Sequence, residues 1–164
     1  MNKKIIGVVA CSAVAASMAI GASASDELIK VGYAQVGHES DWRTANTQNY
    51  QDVFSEENGY ELSFVDCDND NAAQIEAVRN FINQELDYIV IAPIQSAGWD
   101  TVLQEAQDAG IPVIIADREI EASDDLYDAW VGTNTTNEGI TAGNWLAENL
   151  DGKEANILVI EGSV

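Results

Sequence analysis

Short apolar runs alternate along this chain with longer stretches in which apolar residues recur at helical spacing. The short runs predict β-strands, at residues 29–35, 61–66, 88–92, 113–116, 129–132 and 156–160. The longer stretches predict helices at residues 42–58, 71–85 and 98–109. In the second of them, Ile75, Val78 and Ile82 form one apolar stripe that can lie against a sheet.

The runs YIVIAPI and PVIIAD are continuous rather than alternating, which indicates strands that are buried on both faces. Strands and helices in regular alternation imply right-handed βαβ units and a parallel sheet. The predicted fold class is therefore α/β, with a doubly wound parallel sheet and helices on both of its sides.

The alternation of apolar runs and helical stretches is interrupted after residue 131, where VGTNTTNEG is polar and rich in turn-forming residues. Ile140, Gly143, Ala147 and Leu150 then start another helix, and ANILVIEG supplies another apolar strand. The chain stops at Val164, directly after that strand, so a hydrophobic sheet edge is left uncovered. We therefore expect this sequence to be a fragment of a longer protein.

The first residues have the pattern of a secretory signal peptide. Lys3 and Lys4 precede an almost wholly apolar stretch, and Ala22-Ser23-Ala24 offers a cleavage site, so residues 1–24 are predicted to be removed. The run is too short and too rich in small residues to favour a membrane-spanning helix. A second interpretation is lipid attachment through Cys11, because VVAC resembles a bacterial lipobox. Either way, the predicted location is the periplasm or the cell surface.

The net charge of the chain restricts the classes of partner that it can bind. With 28 acidic and 7 basic residues, its net charge is −21, which argues against nucleic acid and anionic membrane surfaces but leaves a small neutral ligand open. Because Cys11 falls in the predicted signal peptide, Cys67 has no cysteine to pair with in the mature chain. Phosphate-binding glycine motifs are absent, and DCDNDN lacks the glycine and distal glutamate of a calcium hand, so no cofactor or metal is predicted.

Charged and aromatic residues follow two predicted strands at the point where each strand ends. Ligands of open α/β sheets bind at the carboxyl ends of the strands. The candidates after the first and fourth strands are Glu39, Ser40, Asp41, Trp42, Arg43, Asp117 and Arg118. A carboxylate accepts the proton of a sugar hydroxyl, a guanidinium donates to its lone pairs, and an indole covers the C–H face of the ring. This combination predicts a carbohydrate-binding site.

Each candidate also has a purely structural interpretation. Residues 39–41 suit the N-terminal cap of the following helix, and Trp42 could belong to the core of that helix. Asp117 and Arg118 could form surface salt bridges with their neighbours. His38 is more typical of a loop residue than of a catalytic base, since no serine or cysteine is placed to be its nucleophile.

A glycoside hydrolase would use Glu39 and Asp117 as its pair of carboxylates. An arginine lies close to each of them in the sequence, and a neighbouring cation favours the ionised carboxylate, which is unsuited to a general acid. The sequence therefore favours a binding protein over an enzyme.

The segments VGYAQVGHESDWR, YIVIAPIQSAGW, AGIPVIIADR and GNWLAENLDGKEANILVIEGSV resemble the sugar-binding periplasmic proteins of bacterial ABC importers, and within them the galactofuranose-binding subgroup. The resemblance runs from about Val31 to the last residue. It implies a type I fold, in which two α/β lobes joined by a hinge close on one monosaccharide. It also implies a monomer that docks on a membrane permease.

In this family the loop that matches residues 39–43 and the dipeptide that matches Asp117 and Arg118 hold the sugar from the first lobe. The resemblance places the first lobe at residues 26–133 and the start of the second at 134–164, with the hinge near Thr133 and Asn134. Asp41 stands where the subgroup often has glycine, and a smaller residue is usual at position 38.

The resemblance leads to one expectation about affinity and raises two alternative functions. The contacts of the second lobe should lie beyond Val164, so this chain is expected to bind sugar more weakly than an intact protein. The effector domain of a sugar-responsive repressor shares the fold but needs an N-terminal helix-turn-helix, where this chain has a predicted secretion signal. A secreted sensor that presents sugar to a receptor stays open as an alternative to transport.

Overall fold

The computed structural model describes residues 27–160. The predicted signal peptide, with Cys11, lies outside the described residues, as do residues 161–164. Within the described part, no helix has the length and apolar character needed to cross a membrane.

Residues 27–160 form five strands and four α-helices, which alternate except between the fourth and fifth strands. The strands are β1 (Ile29–Gln35), β2 (Tyr60–Asp66), β3 (Tyr88–Ile91), β4 (Val113–Asp117) and β5 (Ala129–Gly132). The helices are α1 (Asp41–Val53), α2 (Asn71–Asn83), α3 (Asp100–Asp108) and α4 (Thr135–Leu150). Two short 3-10 helices lie at Glu56–Asn58 and Asp124–Leu126.

The strands form one parallel sheet in the order β2-β1-β3-β4-β5. Residues of α1 pack on one face of this sheet, and residues of α2 and α3 pack on the other. The predicted α/β fold with a doubly wound parallel sheet is confirmed. The chain reverses direction across the sheet between β1 and β3, and in such sheets the loops at this switch point form the ligand crevice.

Different kinds of apolar side chain cover the two faces of the sheet. Under α2 and α3 the core is mainly aliphatic and includes Ile89 and Ile91. It also contains the aromatic Trp99, whose indole Nε1 donates to the Gln95 carbonyl over 2.8 Å. Under α1 it is aromatic, and the rings of Tyr33 and Tyr50 stack with their centroids 4.0 Å apart. This aromatic layer packs against the C-terminal half of α1, where Tyr50 also stacks on Phe54.

One buried polar side chain ties the carboxyl ends of β1 and β3 together. Gln74 of α2 donates from Nε2 to the carbonyls of Ala34 over 3.1 Å and Ala92 over 2.7 Å, and its Oε1 accepts from the Ile94 amide over 2.9 Å. Buried polar groups are stabilising when they are fully paired in this way. Gln74 therefore fixes the backbone at the edge of the crevice.

The prediction of a strand at residues 156–160 is wrong. These residues have no regular secondary structure, and Ile157, Leu158, Val159 and Ile160 are 68–90% exposed. An apolar run becomes a strand only when a neighbouring strand takes up its backbone hydrogen bonds. None of the five strands in the described range does so.

Several helix boundaries also differ from the prediction, and two of the differences fall beside polar stretches that contain serine. The helix predicted to extend to residue 58 ends at Val53, and the chain continues through a 3-10 turn to Gly59, which has a φ of +88°. The helix predicted from residue 98 begins at Asp100. The polar stretches SEEN and QSAG lie at these two boundaries. Their serine side chains can bond nearby backbone groups in place of the helical hydrogen bonds, so serine favours turns over helix interiors.

Cys67 is expected to be unreactive in the folded protein. It is 2% exposed at the end of β2, and burial, with smaller contributions from Asp66 and Asp70, raises the pKa of its thiol to about 11. The folded state therefore favours the protonated thiol, which contributes to the stability of the fold. This contribution is fully present below the unfolded pKa of about 8.5 and is lost as the pH rises towards the folded pKa.

A Cys11→Ser variant, in which Cys67 is the remaining thiol, should react with a disulfide reagent at mildly alkaline pH only after urea is added. The same reaction in urea is the control. Rapid labelling without urea would contradict the burial of this side chain.

Candidate functional site

A cleft of about 730 Å³ opens where β1 and β4 end. Six of the seven predicted site residues line it: Glu39, Ser40, Trp42, Arg43, Asp117 and Arg118. Asp41 does not line the cleft and lies exposed in the first turn of α1. The parallel strands bring together two segments that are 74 residues apart in the chain.

Arg43 lies at the centre of the cleft wall and is 2% exposed. Its Nε donates to Oε1 of Glu39 over 3.1 Å, and its Nη2 donates to Oδ2 of Asp117 over 2.7 Å. A longer bond of 3.4 Å joins Nη1 to Oδ1 of Asn46. Burial by itself lowers the pKa of the guanidinium, but the bonds to Asp117 and Glu39 outweigh it, so the pKa of Arg43 is raised and its charge is permanent.

The start of α1 brings Arg43 into this position. Ser40 is the N-cap residue in an extended conformation, and its Oγ accepts from the Arg43 amide over 3.1 Å. Glu39 and Arg43 are four residues apart, a spacing that brings their side chains together at the entry to a helix. The capping interpretation is correct for Ser40, and the same cap orients the arginine.

Trp42 is not a core residue. Its side chain is 59% exposed on the rim of the cleft, and the Cζ atom of Arg43 lies 4.8 Å from the centroid of its indole ring. A guanidinium within about 6 Å of an indole face is attracted to it. This contact steadies an aromatic surface beside the polar groups of Arg43.

Asp117 ends β4 with an unusual backbone. Its φ is +71°, in the left-handed region that costs a residue other than glycine about 1 kcal/mol. The Trp130 indole Nε1 donates weakly to its carbonyl over 3.4 Å, and Gly132 lies opposite it on β5. Neighbouring strands hold this conformation, which brings the carboxylate to Arg43.

Arg118 takes no part in this ion pair. It is exposed, and its Nη1 reaches only the Ile94 carbonyl, at 3.5 Å. Of the dipeptide, Asp117 does form a salt bridge, but with Arg43 in the cleft wall, and among the described residues Arg118 forms none and borders the cleft as a cation.

Among the residues of the wall that the sequence argument missed, Tyr33 and Asn46 are hydrogen-bonded to each other. Tyr33, inside β1, donates from its hydroxyl to Oδ1 of Asn46 over 2.9 Å, and both residues line the cleft. Burial, together with the neighbouring Tyr50, raises the pKa of the Tyr33 hydroxyl, so it stays a neutral donor. The signal was present in the three-residue spacing between Arg43 and Asn46, which places them on one face of α1.

His38 lies just outside the cleft. Its Nε2 is 2.8 Å from Oδ2 of Asp66, so it links the loop that follows β1 to the end of β2. Across residues 27–160, no group of three histidine, cysteine or acidic side chains is arranged to hold a metal ion.

Comparison with known proteins identifies one family. The model of the periplasmic binding protein domain matches residues 31–164. The galactofuranose-binding protein YtfQ of Escherichia coli (strain K12) is 40% identical over 165 aligned positions, which cover 100% of this chain and 50% of that protein. The chain thus spans about half the length of the curated relatives it matches.

Two solved structures show the same arrangement of strands and helices. A protein from Mycobacterium smegmatis in complex with β-D-fucofuranose is 42% identical, with a TM-score of 0.70 over 76% of this chain and 41% of that chain. The arabinose-transporter binding protein from Shewanella sp. ANA-3, bound to α- and β-L-arabinofuranose, is 40% identical, with a TM-score of 0.68 over 75% of this chain and 41% of that chain.

Proposed function

Because this chain belongs to the periplasmic binding protein domain family, we propose that it captures a monosaccharide in its furanose form and delivers it to the permease of an ABC importer. The resemblance noted in the sequence motifs is confirmed at the level of the family. The names of three similar proteins mention a furanose sugar, namely galactofuranose, fucofuranose and arabinofuranose. This agreement supports a five-membered ring as the ligand.

The observation that carries the proposal is the bonding of Arg43. A guanidinium has five N–H donors, of which three go to Glu39, Asn46 and Asp117. The two that remain lie near the Tyr33 hydroxyl and are proposed to reach a ligand from the cleft wall. The two carboxylates keep lone pairs for hydroxyl protons. A pair of adjacent sugar hydroxyls can therefore donate to the carboxylates and accept from Arg43 at the same time.

Each of these bonds involves an ionised group, and such bonds contribute about 1.5–3 kcal/mol. A few of them place the expected affinity in the millimolar range, about −4 kcal/mol, when the groups come from one wall only. The same bonding opposes an enzymatic role, since Glu39 and Asp117 are held as acceptors by one guanidinium and neither is a natural proton donor.

The remaining parts of the proposal concern organisation and location. Residues 1–24 would act as a signal peptide, with lipid attachment through Cys11 as the alternative, and family membership supports action outside the cytoplasmic membrane. The first lobe would comprise residues 26–133. The start of the second would comprise 134–164, since β5 ends at Gly132 and no residue of α4 is buried. The protein would act as a monomer.

Titration with methyl β-D-galactofuranoside should shift the Trp42 indole and Arg43 Nε signals in nitrogen–proton NMR spectra. The same concentration of methyl β-D-galactopyranoside should shift them less. Replacing Trp42 by alanine should weaken furanoside binding roughly five-fold, because the sugar loses the apolar surface on the rim.

Trp145→Ala is the matched control, because that indole is 63% exposed on α4 and does not line the cleft. Its affinity for the furanoside should equal that of the parent chain. If neither sugar moved the Trp42 or Arg43 signals at millimolar concentration, the proposed function would be wrong.

A further inference from the structure

Asn46 is a neutral polar residue of the wall, and its side-chain oxygen already accepts hydrogen bonds. Two donors approach Oδ1, the Tyr33 hydroxyl at 2.9 Å and Arg43 Nη1 at 3.4 Å. Arginine has no acceptor, so the amide cannot be turned to present its nitrogen to Arg43 without a donor facing a donor. The orientation of the Asn46 amide is therefore fixed by its neighbours.

The nitrogen of the same amide is left for a ligand. Asn46 is half-buried and lines the cleft, and no acceptor among residues 27–160 takes the hydrogens of its Nδ2. We infer that Asn46 is a specificity-determining residue, whose Nδ2 donates a hydrogen bond to an acceptor oxygen of the bound sugar. This inference rests on the proposed sugar-binding function and adds a requirement to it.

The requirement follows from counting donors and acceptors on the wall. Glu39 and Asp117 are both acceptors, and each sugar hydroxyl has a single proton to give. Once two hydroxyls have donated to these carboxylates, their remaining lone pairs and the ring oxygen need donors. Arg43 and Arg118 supply charged N–H groups at the cleft, and Asn46 adds a neutral N–H₂ donor next to Arg43. A ligand that lacks an oxygen opposite Asn46 would leave this amide unpaired and bind more weakly.

A purely positioning role for Asn46 makes a different prediction. If its task were only to hold Arg43 and Tyr33, the oxygen would matter and the nitrogen would not. Asn46→Asp keeps an oxygen for both donors but replaces the N–H₂ group with a third acceptor. Asn46→Leu removes both functions. A positioning residue would therefore tolerate aspartate and fail with leucine, whereas a ligand donor fails with both.

Asn49→Asp is the matched control for charge. Asn49 is exposed on α1, three residues further along, and does not line the cleft. It receives the same added charge on the same helix. Comparing the two aspartate variants separates the loss of a donor from the general effect of one more negative charge. Urea unfolding of each variant confirms that it is folded.

The experiment is a titration of the full chain with methyl β-D-galactofuranoside, followed through side-chain amide signals in nitrogen–proton NMR spectra. The Asn46 N–H₂ pair, assigned by its absence from the spectrum of Asn46→Asp, should shift with the same midpoint as the Trp42 indole. The Asn49 pair should not move. Asn46→Asp and Asn46→Leu should each weaken binding roughly ten-fold or more, and Asn49→Asp should change it less than about two-fold.

The inference is overturned if the Trp42 and Arg43 signals titrate while the Asn46 pair stays still, or if Asn46→Asp binds like the parent chain. Either result leaves the proposed sugar-binding function intact. Failure of every signal to respond to the furanoside would instead overturn both.

Discussion

Replacing Arg43 by methionine is expected to destabilise the fold by about 2–3 kcal/mol and to abolish measurable sugar binding. Methionine can fill most of the space of the side chain, so the loss comes from the missing guanidinium rather than from a cavity. Glu39, Asn46 and Asp117 would all lose the donor that they share. Urea unfolding and sugar titration measure the two effects separately.

The size of the stability loss follows from burial. Removing one member of a buried ion pair costs about 3–5 kcal/mol. Here the arginine is buried but the carboxylates of Glu39 and Asp117 are partly exposed and can be rehydrated, which places the cost below that range. Arg43→Lys should keep part of the stability and still lose the sugar, because an ammonium cannot reproduce a planar fork that bonds three acceptors.

Arg79→Met is the matched control, since it removes the same charge from an ion pair on the surface. Arg79 bonds Glu105 through Nε and Nη2 at 2.8 and 3.1 Å, but both side chains are exposed. Its unfolding midpoint should change little, because water and salt screen such pairs. Equal midpoints for the Arg43 and Arg79 variants would contradict the central role of Arg43.

Replacing Gly132 by alanine is expected to cost about 1–3 kcal/mol and to weaken sugar binding as well. An added Cβ would overlap the backbone carbonyl oxygen of Asp117 and would lie 2.8 Å from Nε1 of Trp130. The carbonyl belongs to β4 and cannot move alone, so the strands must separate where Asp117 faces the cleft. The loss of stability should therefore be accompanied by a shift of the Arg43 Nε signal.

The same substitution elsewhere should act in the opposite direction. A Cβ on Gly139, inside α4, would meet no atom within 4 Å. Gly139→Ala should raise stability by about 0.5–1 kcal/mol, because alanine is the better helix former. If Gly132→Ala unfolded at the same urea concentration as the parent chain, the close approach of β4 and β5 would be disproved.

The centre of the sheet was predictable because β1, β3 and β4 are apolar runs that become buried, whereas the edge strands β2 and β5 stay partly exposed. The runs at β3 and β4 are continuous, and both strands lie inside the sheet with covered faces. Residues 156–160 have an equally apolar sequence and no strand structure. The local sequence pattern indicates that a segment tends to be buried. Strand formation also needs a second strand from elsewhere in the chain to pair with it.

Most residues of the candidate site could be predicted from the sequence, but the ion pairs that they form could not. Strand ends of a parallel sheet meet at one edge, which is why Glu39 and Asp117 were expected together. The sequence suggested one arginine for each carboxylate. In the structure Arg43 serves both, and Arg118 stands apart. Which guanidinium reaches Asp117 depends on the left-handed backbone at the end of β4, and nothing in the local sequence specifies it.

The exposed apolar segment at residues 157–160 makes the colloidal behaviour of this chain depend on ionic strength. An unpaired stretch of branched aliphatic residues can add to the strand edge of another copy. The net charge of −21 keeps copies apart through mutual repulsion. Salt shortens the range of that repulsion to about 10 Å at 0.1 M and leaves the hydrophobic attraction in place. Dilute buffer therefore favours the dispersed chain, and concentrated salt favours its self-association.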